Sequence, residues 1–439
     1  MRSQKRCKTD PGIREASQDT SPRPGVRRLR SEANFLDDRF DTLREFSDPE
    51  LLEELERRRC QFLQNLDGKC LSSDELEEVD GETITAILPE DGWLFEASEE
   101  PFTVRRWRHS PDHELDQVHL AASMAINWGV AVANSKGLKG RGDSTLGQDN
   151  FLVAKLSMGW KAACVFDGHG NQGHWPSQRI AQTMAYFLNQ EPCATQLKLG
   201  DGRSALTSAF RSAQEELEAG AKALGKDIHL SGTTATVALL PPRMDCVWVA
   251  TVGDSRAILF DKRRGVLHQT QDHKPTREDE ASRIKNAGGE ILVSEYDDGT
   301  QDCRIAPKDM SSPQIAISRS MGDMIFKDSG VSATPEIVQW RFPNAADAYL
   351  MICSDGVWEF LSSQEVANFV TTALGEDSSA PEVVADVLKL SKKCWRQHEA
   401  HYCDDITAVL CGLEGTLPCV QPKSKDHCPG CRQGDCHPM

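Results

Sequence analysis

The chain has 439 residues, 39% of them hydrophobic and 27% charged, with a formal net charge of −17. That balance suits a soluble globular protein with room for one large domain and extensions. The acidic surplus works against general nucleic-acid binding, and no apolar run is long enough to span a membrane, so neither partner is expected.

Residues 1–30 carry nine Lys/Arg against three Asp/Glu with little apolar content, so 1–46 reads as a disordered basic arm. Its start, MRSQKRCKTD, lacks the apolar core of a secretory signal, and Arg2 stands where N-myristoylation needs glycine. Asp10, Glu15 and Asp19 argue against a mitochondrial presequence. The arm could serve as a nuclear import signal, which leaves cytoplasm and nucleus both open. Fifteen cysteines is a high count, but Cys164, Cys246, Cys353 and Cys411 sit in apolar strand-like runs, where free thiols behave as small hydrophobes. A reducing compartment follows.

Residues 47–120 read as a helical and acidic extension. In SDPELLEELERRRCQFLQNL, Asp48 can cap, Pro49 suits the first helical position, and Leu52, Leu55, Phe62 and Leu66 recur at helical spacing. Such a stripe usually packs against its own domain; the alternative is a helix over 49–66 that binds a partner or regulator. Residues 67–115 are acidic and weakly patterned, and no role is assigned to them.

The core spans 121–413. Strand signals fall at 234–240, 246–252, 256–260, 349–353 and 406–410, and the short links 241–245 and 261–265 make antiparallel hairpins. Helical patterns cover 180–188, 204–224, 277–287 and 381–395. Antiparallel strands set apart from runs of helices predict a layered α+β fold. The tail 414–439 reads as disordered; Cys428, Cys431 and Cys436 with His427 and His437 offer a loose zinc clip as the alternative.

Five aspartates lie at the lips of apolar runs: Asp167 in CVFDGHG, Asp254 in VATVGDSRAIL, Asp323 in ISRSMGD, Asp355 in YLMICSDGVWEF and Asp404 in CDDITAVL. Each alone reads as a turn residue. As a set they call for compensation, because a carboxylate costs several kcal/mol to withdraw from water unpaired. No basic residues alternate with them in matching numbers, so the simplest compensator is a group of divalent cations on hard oxygen ligands, Mg²⁺ or Mn²⁺.

The ordered motifs GQDN (147–150), VFDGHG (165–170), SGTTATVAL (231–239), VGDSRAIL (252–259), DHKPTREDEASRIKNAGGEI (272–291), ISRSMGD (317–323), CSDGVWEF (353–360) and DDITAVL (404–410) resemble the PPM (PP2C-type) metal-dependent protein serine/threonine phosphatases. The resemblance implies a four-layer α-β-β-α sandwich of two antiparallel sheets flanked by helices, acting on phosphoprotein substrates. It implies a centre of two Mn²⁺ or Mg²⁺ ions in which Asp167 bridges the pair, the Gly168 carbonyl joins one shell, and Asp355 and Asp404 hold the other. Asp149 would act through water. Asp254 and Asp323 fall where some relatives hold a third, weaker ion. Two close cations make a water nucleophilic near neutral pH, and His169 stands two residues beyond Asp167 as the general acid for the leaving alkoxide. The segment 272–310 resembles the family's variable flap, where Asp297, Asp298 and Asp302 would influence peptide choice.

The pattern departs at one place. Many relatives carry Arg-x-x-x-Glu-Asp before the first strand; here Ser144 replaces the arginine and Gln148-Asp149 the acid pair. A catalytically inactive phosphatase-like scaffold is therefore the competing reading. If the domain is active, Lys139 or Arg141 supplies the phosphate-binding charge from the preceding loop. Replacing either by Ala is expected to raise KM for a phosphopeptide several-fold, and unchanged kinetics in both variants would remove the idea.

Overall fold

Residues of the central strands are buried on whichever face they point to, and this sets the layering. The structure, a computed structural model, describes residues 129–140, 143, 145–156, 159–296, 301–342, 348–375, 378–399, 401–414 and 417, with the backbone of Gln4–Lys5, Gly92–Glu96 and Thr103–Arg106. The helix expected over 49–66, Arg141, Ser144, Asp297, Asp298 and the cysteine tail lie outside the described residues.

In chain order the strands are β1 (Gln4–Lys5), β2 (Gly92–Glu96), β3 (Thr103–Arg106), β4 (Val130–Ser135), β5 (Asp149–Lys155), β6 (Lys161–His169), β7 (Gly232–Thr233), β8 (Ala235–Leu240), β9 (Cys246–Val252), β10 (Arg256–Asp261), β11 (Gly265–Gln269), β12 (Glu290–Glu295), β13 (Gln301–Ala306), β14 (Met321–Gly322), β15 (Glu336–Arg341), β16 (Ala348–Cys353) and β17 (Ile406–Gly412). The described helices are α1 (His174–Leu188), α2 (Cys193–Lys198), α3 (Gly202–Leu224), α4 (Glu278–Ala287), α5 (Met324–Lys327), α6 (Asp355–Trp358), α7 (Ser363–Gly375) and α8 (Ala380–His398). The first sheet runs β15-β9-β8-β6-β5-β2-β3 and the second β11-β10-β16-β17-β4. Every pairing in these two is antiparallel except β2 with β5, which is parallel and departs from the expected pattern.

Side chains alternate between the two faces of each strand. Phe151, Val153, Val165 and Val249 of the first sheet meet Val132, Leu259, Leu350 and Val409 of the second, forming the inter-sheet core. The alternate residues Leu152, Phe166, Val237 and Ala250 pack with Ile180, Met184, Leu206 and Phe210 of α1 and α3. On the far side, Ile258, Met351 and Ala408 pack with Val366, Val370, Val384 and Leu388 of α7 and α8. Three stacked apolar layers give the α-β-β-α order, each large buried side chain contributing about 1.5–3 kcal/mol. Local signals start the helices: Asp201 accepts from the Ser204 N–H (3.0 Å) before α3. Ser379 and Glu382 form a capping box on α8, with Pro381 in its first turn.

A third sheet, β1-β12-β13, lies in the flap segment. Gln4 and Lys5 fall in the arm expected to be unstructured, yet they add a strand to the open edge of β12, whose unpaired backbone groups accept one. Beneath the hairpin, Ile284, Ile305, Ile315, Ile317, Phe326 and Val331 form a small separate core. Glu280 of α4 is fully buried there. Its carboxylate is forked by Arg283 (2.7 and 2.7 Å) and bonded by Arg319 Nη2 (2.7 Å) and the Ser318 hydroxyl. Burial alone would raise its pKa; the Arg283, Arg319 and Ser318 hydrogen bonds prevail and hold it well below the usual carboxylate range.

Glu280→Gln is expected to cost about 1–3 kcal/mol of stability, because the half-buried guanidinium groups of Arg283 and Arg319 lose their charged acceptor. Because the folded pKa lies below the unfolded value of 4.5, the gap between wild type and variant is full above that pH and closes as pH falls through the folded value. Denaturant unfolding of both proteins at several pH values measures it.

Candidate active site

Strand register brings the acidic residues to one end of both sheets. Asp149, first in β5, is the direct partner of Asp167 near the end of β6. In the second sheet Arg256, first in β10, pairs with Cys353, last in β16, and Cys353 pairs with Ala408 near the start of β17. Asp355 therefore follows β16, and Asp404 precedes β17, at the same edge. Asp254 lies in the three-residue passage from β9 in the first sheet to β10 in the second.

Asp149 is 2% exposed. Its Oδ2 accepts hydroxyl bonds from Ser354 (2.7 Å) and Thr407 (2.7 Å), while its Oδ1 is buried with no partner among the described residues. Asp355 Oδ1 is likewise buried and unpartnered. Burial, with added repulsion from Asp149, Asp355, Asp404 and Asp254, pushes the Asp167 carboxyl well above its ordinary range. The same two causes raise Asp355, where Asp254 and Asp404 are the leading neighbours. Burial and the charge of Asp405 raise Asp149 despite its hydroxyl donors. Groups that depress one another's ionisation in this way lie close together in a poorly hydrated space.

Two lysines from other segments answer part of this charge, fewer than the acids they accompany. Lys139 Nζ bonds Asp404 Oδ1, and Lys274 Nζ bonds Asp254 Oδ2. Burial alone would raise Asp254, but Lys274 holds its carboxyl below the ordinary value. Tyr402 donates its hydroxyl to Asp404 Oδ2 (3.0 Å). Lys274 is placed by its neighbour: buried His273 exchanges bonds with Gly253, taking the Gly253 N–H at Nδ1 (3.1 Å) and giving its own N–H to the Gly253 carbonyl (2.9 Å). Asp405 is 3% exposed and accepts the N–H groups of Gly137 (2.6 Å) and Gln148 (2.7 Å), tying two loops to the start of β17.

His169 Nε2 bonds Asp323 Oδ2 at 2.7 Å. Burial lowers the imidazole pKa, but the Asp323 charge and hydrogen bond outweigh it and hold the ring above 6.5. Asp323 has φ +52°, a left-handed conformation that aspartate tolerates better than most residues. A Cβ on Gly232 would overlap its carboxylate, so the glycine of the SGTT motif makes room for the pair. Gly168 donates its N–H to the Gln148 carbonyl (3.1 Å) within β6. Asp302 is not part of the cluster; it pairs with Arg304 (2.7 Å) in the flap.

Sequence reading missed Ser354, Thr407, Asp405, Lys274 and Tyr402. Ser354 adjoins Asp355, Thr407 lies three residues beyond Asp404 and Lys274 lies in the DHKP segment, so nearness to the motifs was the available signal. Among the described residues no three His, Cys, Asp or Glu side chains are closed into a complete metal-holding set. The donors nevertheless suit a hard divalent cation: they are all oxygen, two are orphaned, and the lysines neutralise only two of the acids.

The sequence model of the family "Protein phosphatase 2C" matches residues 130–398. "Probable protein phosphatase 2C 72" of Arabidopsis thaliana is 30% identical over 57% of this chain and 76% of its own length. "Probable protein phosphatase 2C 35" of the same plant is 32% identical over 56% and 72%. The crystal structure of serine-threonine phosphatase 2C from Toxoplasma gondii superposes with a TM-score of 0.52 at 20% identity, covering 64% of this chain and 94% of that one, a likeness of fold.

Because Asp355 is half-buried among like charges, Asp355→Asn is expected to stabilise the chelator-treated protein, by about 0.5–2 kcal/mol. Melting curves in chelator measure this, and a lower melting temperature for the variant would count against an under-compensated cluster.

Proposed function

The chain belongs to the protein phosphatase 2C family, and from that membership we propose that it is a metal-dependent hydrolase of phosphoserine and phosphothreonine in proteins. The supporting observation is the convergence of Asp149, Asp167, Asp355 and Asp404 on one poorly hydrated edge, with buried carboxylate oxygens on Asp149 and Asp355 that no donor among the described residues satisfies. Asp167, the Gly168 carbonyl, Asp355 and Asp404 would hold two Mn²⁺ or Mg²⁺ ions, with Asp149 contributing through water. Asp254 and Asp323 stand at the place of a third, weaker ion. When bound, such ions supply electrophilic activation of water and of the phosphate ester.

Hydrolysis breaks the bond from phosphorus to the serine or threonine oxygen, which takes up a proton as it leaves. His169 is built to supply it. Asp323 accepts from Nε2 and favours the protonated ring, so the imidazolium carries its second proton on Nδ1. Ser354 and Thr407 orient Asp149 by fixing one of its oxygens and leaving the other bare. Lys139 remains the described candidate for gripping the substrate phosphate.

A second reading, an inactive scaffold that binds a signalling partner, is favoured by one observation: lysines already occupy Asp404 and Asp254. Activity decides between them. Mn²⁺-dependent hydrolysis of p-nitrophenyl phosphate and of a phosphothreonine peptide is expected from the wild type, and Asp355→Asn is expected to abolish both. His169→Gln should lower kcat on the peptide by about 10²–10⁴ and affect p-nitrophenyl phosphate less, because nitrophenolate leaves without a proton. Activity indifferent to chelator and to Asp355→Asn would sink the catalytic reading.

A further inference from the structure

The loop bearing Lys139 is fastened to the segment bearing Asp404 more firmly than a solvated loop requires. Leu138 and Cys403 exchange both backbone bonds, Leu138 N–H to the Cys403 carbonyl (2.7 Å) and the reverse (2.8 Å). Gly137, one residue earlier, donates to Asp405 Oδ1 (2.6 Å), and a Cβ there would overlap the backbone of Cys403 and Asp404. On the other side Asp143 turns inward, its side chain 3% exposed, accepting the Lys139 N–H (2.9 Å) and both the N–H (2.9 Å) and hydroxyl (2.6 Å) of Thr145. Asp143 is thus consumed in shaping the loop. The ammonium group of Lys139 lies on Asp404 Oδ1, 5.4 Å from the Tyr402 ring centroid and 3.4 Å from its hydroxyl, while that hydroxyl bonds Asp404 Oδ2. Both oxygens of this carboxylate are therefore engaged by protein donors. Asp149 and Asp355 each keep one oxygen bare.

We propose that Lys139 is an internal counter-ion that competes with a divalent cation for Asp404 and so sets how readily the centre loads. This rests on the metal-centre reading above and deepens it. Asp404 offers its oxygens either to the Lys139 ammonium or to an incoming ion, because two cations on one carboxylate oxygen repel. The free energy that holds the ion pair is subtracted from metal binding, and the apparent affinity falls by the fraction of molecules whose Asp404 is free. Tyr402 supports the closed arrangement by bridging the pair. Displacement of Lys139 from Asp404 at loading releases a cation beside the centre, where the substrate phosphate would lie. The neutralised carboxylate and the phosphate-gripping lysine are then two positions of one side chain.

The test is calorimetric titration of Mn²⁺ into full-length protein stripped by chelator, comparing wild type, Lys139→Met and Lys139→Arg. The Met variant is expected to bind one ion about tenfold tighter, to melt lower than wild type without metal, and to approach it in saturating Mn²⁺; the Arg variant, which keeps the charge, stays near wild type. Tyr402→Phe, a milder change, should shift affinity less and in the same direction. Wild-type protein that takes up no Mn²⁺ overturns both the metal-centre reading and this proposal. Mn²⁺ uptake that is unchanged or weaker in Lys139→Met and Tyr402→Phe overturns this proposal alone, and equal loss of melting temperature with and without metal would reduce Lys139 to a structural role.

Discussion

Carboxylates gathered where water is scarce repel one another and must be compensated, and the architecture around this edge follows from that need. Asp149 and Asp254 are buried, and Asp167 and Asp355 half-buried, by the same sheet ends that bring them together. Compensation comes in three forms. Hydroxyl donors serve Asp149, lysines serve Asp254 and Asp404, and backbone N–H groups serve Asp405. What these leave unmet are the oxygens of Asp149 and Asp355 that have no partner among the described residues, and the proposed function places a cation there.

The rigidity that tolerates such a cluster comes from the layers behind it. Both faces of each central strand are covered, so the strand ends cannot splay apart without opening the inter-sheet core of Phe151, Val165, Leu259 and Ile352. Helices α7 and α8 brace the second sheet in the same way that α1 and α3 brace the first. The flap segment is held differently. Its small core and the Glu280–arginine knot join α4 to the Ser318–Arg319 turn, and Asp323 follows that turn toward His169. The flap segment and His169 are thus connected through one short stretch of chain.

Much of the site was legible in the motifs, because carboxylates beside apolar runs are costly and few chemistries justify them. The positions of Asp167, Asp355, Asp404 and His169 could be marked without coordinates. Lys139 and Lys274 could not be paired with their aspartates, since each partner lies on a remote or differently folded segment: Lys139 is 265 residues from Asp404. Strand β15, half exposed, and strand β5, apolar on both faces, carry no alternation to read, and both escaped the pattern search. The two-residue strand Gln4–Lys5 has no local signal at all, because its partner edge on β12 alone creates it.

Composition, motif order and apolar periodicity by themselves determined the α+β class, the helical stretches over 204–224 and 381–395, and the positions of the acids beside apolar runs, because those properties reside in short stretches of chain. Only the tertiary structure decided which acid meets which cation, that β9 and β10, three residues apart, belong to different sheets, and that Asp149 faces Asp167 across a strand pair. Charge compensation depends on distance in space, and distance in space between remote segments is settled by packing of the layers rather than by any local sequence signal.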